Sequence, residues 1–227
     1  MSIRFFYNRL FHTAILHLAA VTLVVMALNG VAFCGEIHDA AAKGDLEKVK
    51  ALLKEDSNLI SSKDQEGSTP LHIAAWNGQK GVVELLLANK ADANATKTDN
   101  RYTSLHMAAG KGYLDVAELL LVNKADVNAK DKNGEVPLGW AIRFGHMDMA
   151  KLLIAHKADL NVKDKSGETF LHIAAARGQT ALVKLLLESK ADVNARDSGG
   201  HTPLGWAVNQ GHNDIAQLLR AHGGKEY

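Results

Sequence analysis

Proline and cysteine are both scarce in this chain. Its 227 residues include three prolines and one cysteine, whereas average usage would give about eleven prolines. Because proline interrupts helices, the shortage favours a mostly helical protein. A single cysteine excludes a disulfide scaffold and any zinc site built from several cysteines.

Charge of one sign is not in excess either. The chain has 26 basic and 25 acidic side chains, which gives a formal net charge of +1. This balance excludes a strongly basic nucleic-acid-binding protein and an acidic disordered tail. Apolar residues make up 47% of the chain and charged residues 22%, as in ordinary globular proteins.

Acidic residues are absent from the first 34 positions, which differ in composition from the rest of the chain. Two arginines precede an apolar run at 18–28, and small residues follow it. This order is typical of a secretory signal. Ala32 and Cys34 provide small side chains at the −3 and −1 positions of a cut before Gly35. We therefore predict a signal peptide at 1–34 and an exported protein, periplasmic or secreted, that begins at Gly35.

Two other interpretations of residues 1–34 remain open. The stretch 14–33 is about as long as the roughly 20 residues that span a bilayer, so an uncleaved segment would make the protein an adaptor anchored in the inner membrane. Acylation of Cys34 is the second, although Phe33 is bulky where lipid-attachment signals have a small residue. Cleavage would remove the cysteine and change the net charge to about −1, because the segment has two arginines and no acid.

The remainder of the chain repeats with a period of 33 or 34 residues. An Ala-Asp dipeptide, a Leu-Leu pair, a glycine and an asparagine all recur at this spacing and in the same order. Such self-similarity is the sequence signature of a stacked array, in which each unit is covered by its neighbours. The Ala-Asp dipeptides begin at Ala91, Ala125, Ala158 and Ala191, and the asparagines are Asn94, Asn128, Asn161 and Asn194.

One unit opens at 64–75 with Asp-Gln-Glu-Gly-Ser-Thr-Pro-Leu-His-Ile-Ala-Ala. Together with the leucine-rich segment 83–87 and the exit 91–95, it resembles the ankyrin repeat. The resemblance covers about residues 36–224 and implies an all-α solenoid of helix-turn-helix units joined by β-turn or hairpin loops. It also implies a scaffold that binds proteins on its concave face. With the export signal, the chain resembles the exported ankyrin-repeat proteins of bacteria.

The start and end of each helix can be predicted from one unit. Thr69 can cap the first helix, and Pro70 suits its first position, where a missing N–H costs nothing. This helix should end near Asn77, with Gly78 as a left-handed cap. A second helix should cover 80–88, and because it is apolar on most sides, neighbouring units must bury it.

Two departures from the repeat concern the backbone. Asn100 replaces the turn glycine of the later units, and we expect it to take the left-handed conformation that asparagine tolerates best. One extra residue follows, either Arg101 or Tyr102. In addition, lysine stands where the family has glycine before Ala-Asp, which makes the exit from the second helix less pre-organised. These lysines are Lys90, Lys124, Lys157 and Lys190.

Polar residues replace apolar ones at both ends of the array. Asp39 and Lys48 do so in the first unit, and Arg220 does so in the last. Terminal units need polar outer faces, so we predict one domain at 35–227 with a complete, capped array of six units. The predicted units are a cap at 36–63, repeats at 64–97, 98–130, 131–163 and 164–196, and a cap at 197–224.

Eleven histidines invite a metal or catalytic interpretation. Three of them occupy the last place of the Thr-Pro-Leu-His phase, where we expect an imidazole that hydrogen-bonds near its own helix start. The sequence has no zinc-protease pair, nucleophile elbow, phosphate loop or dinucleotide motif. We therefore predict a non-enzymatic protein without metal or cofactor; a metal-handling protein or enzyme is the remaining alternative. The three histidines are His72, His106 and His172.

Two tryptophans invite a ligand-stacking interpretation. Trp140 and Trp206 follow Gly139 and Gly205, the two glycines that replace this histidine in other units. Each tryptophan is followed by an alanine, at a repeat position that we expect to be buried. We therefore predict that they pack in the core, with the adjacent glycines making room for the indole rings.

The residues before each mid-repeat glycine, together with the turn tips, are where the family varies its contacts. In this chain the ten residues before those glycines include cations and aromatics but no acid. Because Trp, Tyr and Arg dominate interface energies, we predict a monomer that binds a protein with an acidic contact surface. Nucleic acid is not expected, nor is a membrane after signal removal; the alternative is a solvated flank. The predicted partner-binding residues are Trp76, Asn77, Tyr102, Lys111, Arg143, Phe144, Arg177, Asn209 and Gln210.

Overall fold

The computed structural model describes residues 35–226. The predicted signal peptide at 1–34, including Cys34 on one side of the predicted cut, lies outside the described residues. Its cleavage, retention or acylation therefore stays a prediction. Between residues 35 and 226, none of the helices has the length and hydrophobicity needed to cross a membrane.

The described residues form twelve α-helices and no β-strand. The first, α1, includes residues 35–43, and α2 (Leu46–Glu55) is followed by a short 3-10 helix at Ser57–Ser61. The later helices alternate between a shorter and a longer member of a pair. They are α3 (Pro70–Trp76), α4 (Lys80–Ala88), α5 (Ser104–Lys111), α6 (Leu114–Val122), α7 (Pro137–Arg143), α8 (Met147–Ala155), α9 (Phe170–Ala176), α10 (Thr180–Glu188), α11 (Pro203–Asn209) and α12 (Asn213–Ala221).

The helices stack as pairs in two layers. α3 packs on α4 within one pair and on α5 of the next, and α5 in turn packs on α7. The longer helices form the second layer, where α4 contacts α6 and α6 contacts α8. Both layers are interrupted at one place, because α7 and α9 make marginal backbone contact at most, as do α8 and α10. This arrangement confirms the predicted all-α solenoid.

Three of the first helices, α3, α5 and α9, start with a threonine and a histidine that bond to each other. The backbone N–H of Thr69 donates to Nδ1 of His72 at 3.2 Å, and the Thr69 hydroxyl lies 2.8 Å from the same atom. Since Nδ1 accepts a hydrogen bond, the proton is on Nε2, which donates to the carbonyl oxygen of Tyr102 at 3.0 Å. The imidazole therefore joins one unit to the next, which confirms its structural role.

The extra residue near Asn100 lengthens the turn and shifts its left-handed position by one residue. The left-handed residue is Arg101, with φ of 59°, so the expectation for Asn100 was wrong. The turn is closed by Arg101 N–H and the carbonyl oxygen of Lys97, four residues apart, whereas Gly134 bonds to Asp131 only three residues back. The longer turn places the sharp bend one residue later, directly before Tyr102.

Left-handed backbone also ends four of the second helices, α4, α6, α8 and α10, and here the residue is lysine. Lys90, Lys124, Lys157 and Lys190 have φ values of 65° to 68°. A side chain in this region costs on the order of 1 kcal/mol or more compared with glycine. A hydrogen bond from the next residue offsets part of this cost and closes the helix end; Ala91 N–H, for example, donates to the carbonyl oxygen of Leu86 at 2.9 Å.

The two tryptophans differ in burial. Trp140 is 8% exposed and belongs to the core, as predicted, whereas Trp206 is only half-buried and donates from Nε1 to Asp197 at 3.0 Å. The glycines do not serve the indoles in the predicted way. A Cβ at Gly110 would lie 2.7 Å from the Trp140 ring, so Gly110 makes room for that indole, while Gly139 faces Phe170.

Candidate functional site

The predicted binding strip begins with a cation stacked on an aromatic ring. Trp76, at the end of α3, is 42% exposed. The Lys111 ammonium group, at the end of α5, lies 4.0 Å from the centroid of the Trp76 ring. Each of these side chains therefore holds the other in place on neighbouring units, an arrangement worth about 0.5–1 kcal/mol at an exposed site.

An aromatic cluster continues the strip. The rings of Tyr102 and Trp140 are 4.6 Å apart and nearly perpendicular, and Trp140 also contacts His106 and Phe144, with centroids at 5.8 and 6.2 Å. Phe144 is 56% exposed and so presents the outer surface of this cluster. Edge-to-face contacts of this kind stabilise a rigid apolar surface.

A cleft of about 570 Å³ lies between α7 and α9, within the usual size range of ligand sites. It brings together three predicted residues: Tyr102, Arg143 and Arg177. Its remaining lining is an apolar floor with a charged rim. The apolar side chains are Val136, Ile142, Val162, Phe170 and Ile173, and the other charged ones are Glu135, Lys163, Asp164, Lys165 and Glu168.

Acidic side chains reach the strip from the turns. The Arg143 guanidinium forms an ion pair with Glu135, so this arginine is partly neutralised. Among the described residues, no carboxylate lies within 4.0 Å of Arg177 or Lys165. The cations that remain available to a partner are therefore on the α9 side of the cleft.

The other predicted residues are less closely grouped. Asn77 donates from its side-chain amide to the carbonyl oxygen of Ile73 at 2.8 Å and thereby closes the end of α3. Asn209 and Gln210 are exposed at the end of α11, outside the cleft lining. The strip thus has three parts: the Trp76–Lys111 pair, the aromatic cluster with its adjoining cleft, and an uncharged end.

Most residues that line the cleft were not predicted as part of a site, and four of them give the cleft its shape. Ile142 and Ile173 supply the floor, while Gly139 and Phe170 leave and shape the space. The sequence signal was present, because Gly139 and Phe170 are both departures from the repeat. Only the structure shows that the two departures meet, because Gly139 on α7 faces the Phe170 ring on α9.

The buried histidines are set up for structure rather than proton transfer. Burial lowers the pKa of His72 below its ordinary value and lowers the pKa of His106 to about 4. Both imidazoles are therefore neutral at pH 7, as their hydrogen bonds require. Within residues 35–226, no three His, Cys, Asp or Glu side chains are grouped closely enough to hold a metal ion.

The fold and the strip define a class: a helical repeat solenoid whose irregular surface is made of loop tips and helix ends. A family model described as ankyrin repeats (3 copies) matches three overlapping segments, 37–131, 105–197 and 138–227. The chain belongs to the ankyrin-repeat family. No curated protein matches it. Ankyrin repeats are generally modules for protein–protein interaction, and proteins built from them are typically non-catalytic scaffolds.

Proposed function

We propose that this chain is a non-catalytic adaptor that binds a protein partner through the strip running from Trp76 to Arg177 on its concave face. The observation that carries the proposal is the grouping of exposed aromatic and cationic side chains on neighbouring helix ends. Among the described residues, six large hydrophobic side chains are exposed, and the two aromatic ones, Trp76 and Phe144, both lie on the strip. A partner that covers these two rings removes their apolar surface from water.

The proposed partner has an acidic contact surface. Lys111 and Arg177 project from the ends of α5 and α9, and the Glu135 side chain does not approach either of them in an ion pair. A partner carboxylate would find donors at Arg177 and Lys165, which no carboxylate of residues 35–226 occupies. Electrostatic complementarity of this kind speeds association and selects the partner more than it adds affinity.

We further propose that the adaptor works outside the cytoplasm as a monomer. The support is the composition of residues 1–34, which has the order of a secretory signal. Amino-terminal sequencing and intact-mass measurement of the exported protein test this proposed location. A mature chain beginning at Gly35 supports it; a full-length or acylated chain would favour the anchored alternatives. Size-exclusion chromatography with light scattering tests the monomer.

Charge reversal tests the acidic partner. The variant carries Arg177→Glu and Lys111→Glu, and it is used as bait in extracts of the native compartment. We expect recovery of the partner to fall by at least about tenfold, since like charges at an interface cost several kcal/mol. The control, Lys50→Glu with Lys184→Glu, changes the net charge equally on α2 and α10, away from the strip.

Unchanged recovery with the Arg177 and Lys111 variant at low salt would rule out the acidic partner. Equal loss with the control would mean that net charge, rather than the strip, governs capture. Metal analysis of the purified chain addresses the remaining alternative, because stoichiometric metal would point to a metal-handling protein.

A further inference from the structure

One interface of the array lacks a bond that the others have. His38 joins the first pair of helices to the carbonyl oxygen of Ser68 at 2.9 Å, and His106 reaches Glu135 of the next unit at 3.1 Å. His72 and His172 make the same bond. In the unit of α7 this position is Gly139, so among the described residues only the α7–α9 interface has no imidazole across it.

A second kind of bond is missing at the same interface. At the start of the second helix, His146 reaches back to Gly110 at 3.1 Å, and Gln79 reaches back to Ala42 at 3.0 Å. The corresponding side chain before α10 is Gln179, whose amide N–H groups make no such bond and whose buried Oε1 has no partner either. Tyr113 before α6 also makes no such bond, but the α3–α5 interface keeps the bond of His72. Two inter-unit bonds are thus absent where the helices also separate.

Phe170 accounts for the separation. It is the first residue of α9, where the units of α3, α7 and α11 have proline. Its ring points toward α7, because a Cβ placed on Gly139 would lie 3.4 Å from the Phe170 Cε1 atom. The aromatic ring acts as a spacer between α7 and α9, and the missing histidine leaves the space open. The cleft follows from these two substitutions together.

The chemistry of this space indicates what it holds. Ile142, Phe170 and Ile173 can contact one large apolar side chain, which gains about 1.5–3 kcal/mol when it leaves water. Arg177 and Lys165 stand at the rim without a carboxylate partner among the described residues. An apolar group with an adjacent negative charge satisfies both parts of the site.

We propose that the α7–α9 cleft binds a partner segment in which one large apolar side chain is followed by carboxylates. The apolar side chain enters between Ile142 and Ile173, and the carboxylate pairs with Arg177. This inference rests on the proposed function, since it identifies the feature of the partner that the strip recognises. It adds a specific anchor to what would otherwise be charge complementarity alone.

Three short peptides test the anchor directly. The probes are acetyl-Phe-Glu-Glu-amide, acetyl-Ala-Glu-Glu-amide and acetyl-Phe-Gln-Gln-amide, each titrated into the nitrogen-15-labelled chain and followed by NMR. We expect the first to shift the backbone signals of Gly139 and Arg177 and to bind at least about tenfold more tightly than the second. The third should bind more weakly than the first, and its binding should not depend on salt.

Filling the cleft supplies the matched variants. Gly139→His places the usual side chain in the open space, and we expect it to abolish binding of the first peptide. Gly205→His is the control at the same position of the last unit, where the Cβ would meet the Glu226 carbonyl oxygen at 3.2 Å rather than the cleft. Phe170→Pro, which restores the residue of other units, removes the ring and should also abolish binding.

Circular dichroism shows whether each variant folds. Equal affinity for the three peptides, signal changes outside the cleft, or full binding to Gly139→His and Phe170→Pro would overturn the inference. If the peptides fail while charge reversal at Arg177 and Lys111 still abolishes partner capture, only the anchor is wrong. If the first peptide binds but charge reversal has no effect on capture, the proposed acidic partner is wrong instead.

Discussion

The interface between α5 and α7 and the interface between α7 and α9 join the same kind of unit in different ways. The first is closed by His106 and His146, and its helices pack closely. The second has Gly139 and an unsatisfied Gln179, and its helices stand apart. In a repeat array, a cleft can therefore arise where stabilising contacts are left out at one junction.

The largest effect on stability is expected from His106→Ala, which breaks the closed interface. Removing the imidazole creates a cavity, and it leaves the Thr103 N–H and the Glu135 carbonyl oxygen without a hydrogen-bond partner. We therefore expect the free energy of unfolding to fall by about 3 kcal/mol. Urea denaturation measures it. His201→Ala, at a mostly exposed imidazole, is the control and should cost little. A similar loss in both variants would contradict the bonding role of His106.

Acid should weaken the closed interface before the open one. Because the pKa of His106 in the fold is about 4, below the ordinary 6.5, the unfolded chain binds protons more readily. Stability from this group is complete above about pH 6.5 and is lost as pH falls toward 4. We expect a loss of about 2 kcal/mol between pH 7.5 and 5. Urea midpoints across this range, compared with those of His106→Gln, measure the slope, which should flatten in the variant. An unchanged slope would show that His106 is not the responsible group.

Closing the open interface should stabilise the fold modestly. Gly139→His with Phe170→Pro gives this junction the residues of the closed ones, and we expect a gain of about 1 kcal/mol, the worth of one hydrogen bond plus the loss of a helical glycine. Thermal and urea unfolding report it. Gly205→His is the control, because it makes the same change in helix propensity in the last described unit, where no further unit can pack on it. If its gain in free energy of unfolding equals that of the double variant, helix propensity alone explains the gain and the interface has not closed.

The smallest effect concerns strain that is independent of either interface. Replacing Lys124 or Lys157 by glycine relieves a left-handed backbone, while the greater freedom of glycine in the unfolded chain offsets part of the gain. We expect each variant to be more stable by about 0.5 kcal/mol in urea denaturation. Lys130→Gly is the comparison at a lysine whose φ is not positive, and it should give no gain. A difference between Lys124 and Lys157 would show that strain depends on the neighbouring interface.

Much of the fold was predictable because its causes are local. The period located helices such as α4, whose bounds of Lys80–Ala88 agree with the prediction. The position of the left-handed residue in the turn after 97 could not be predicted. An inserted residue redistributes the hydrogen bonds of the whole turn, and Arg101 rather than Asn100 takes the left-handed conformation. The candidate site was predicted in part. Its exposed cations and aromatics follow from their phase in the repeat, whereas Glu135 reaches Arg143 from a turn that the sequence does not place beside it.

The sequence by itself determined that the described chain is a stack of helix pairs, because each unit carries its own caps, turns and apolar phase. It also predicted cationic and aromatic side chains at the helix ends, of which Trp76, Phe144 and Arg177 are exposed. Only the tertiary structure decided that Gly139 and Phe170 face each other across one junction and open a cleft there. The physical reason is that a cleft depends on the distance between two units, and that distance is set by side chains more than 30 positions apart.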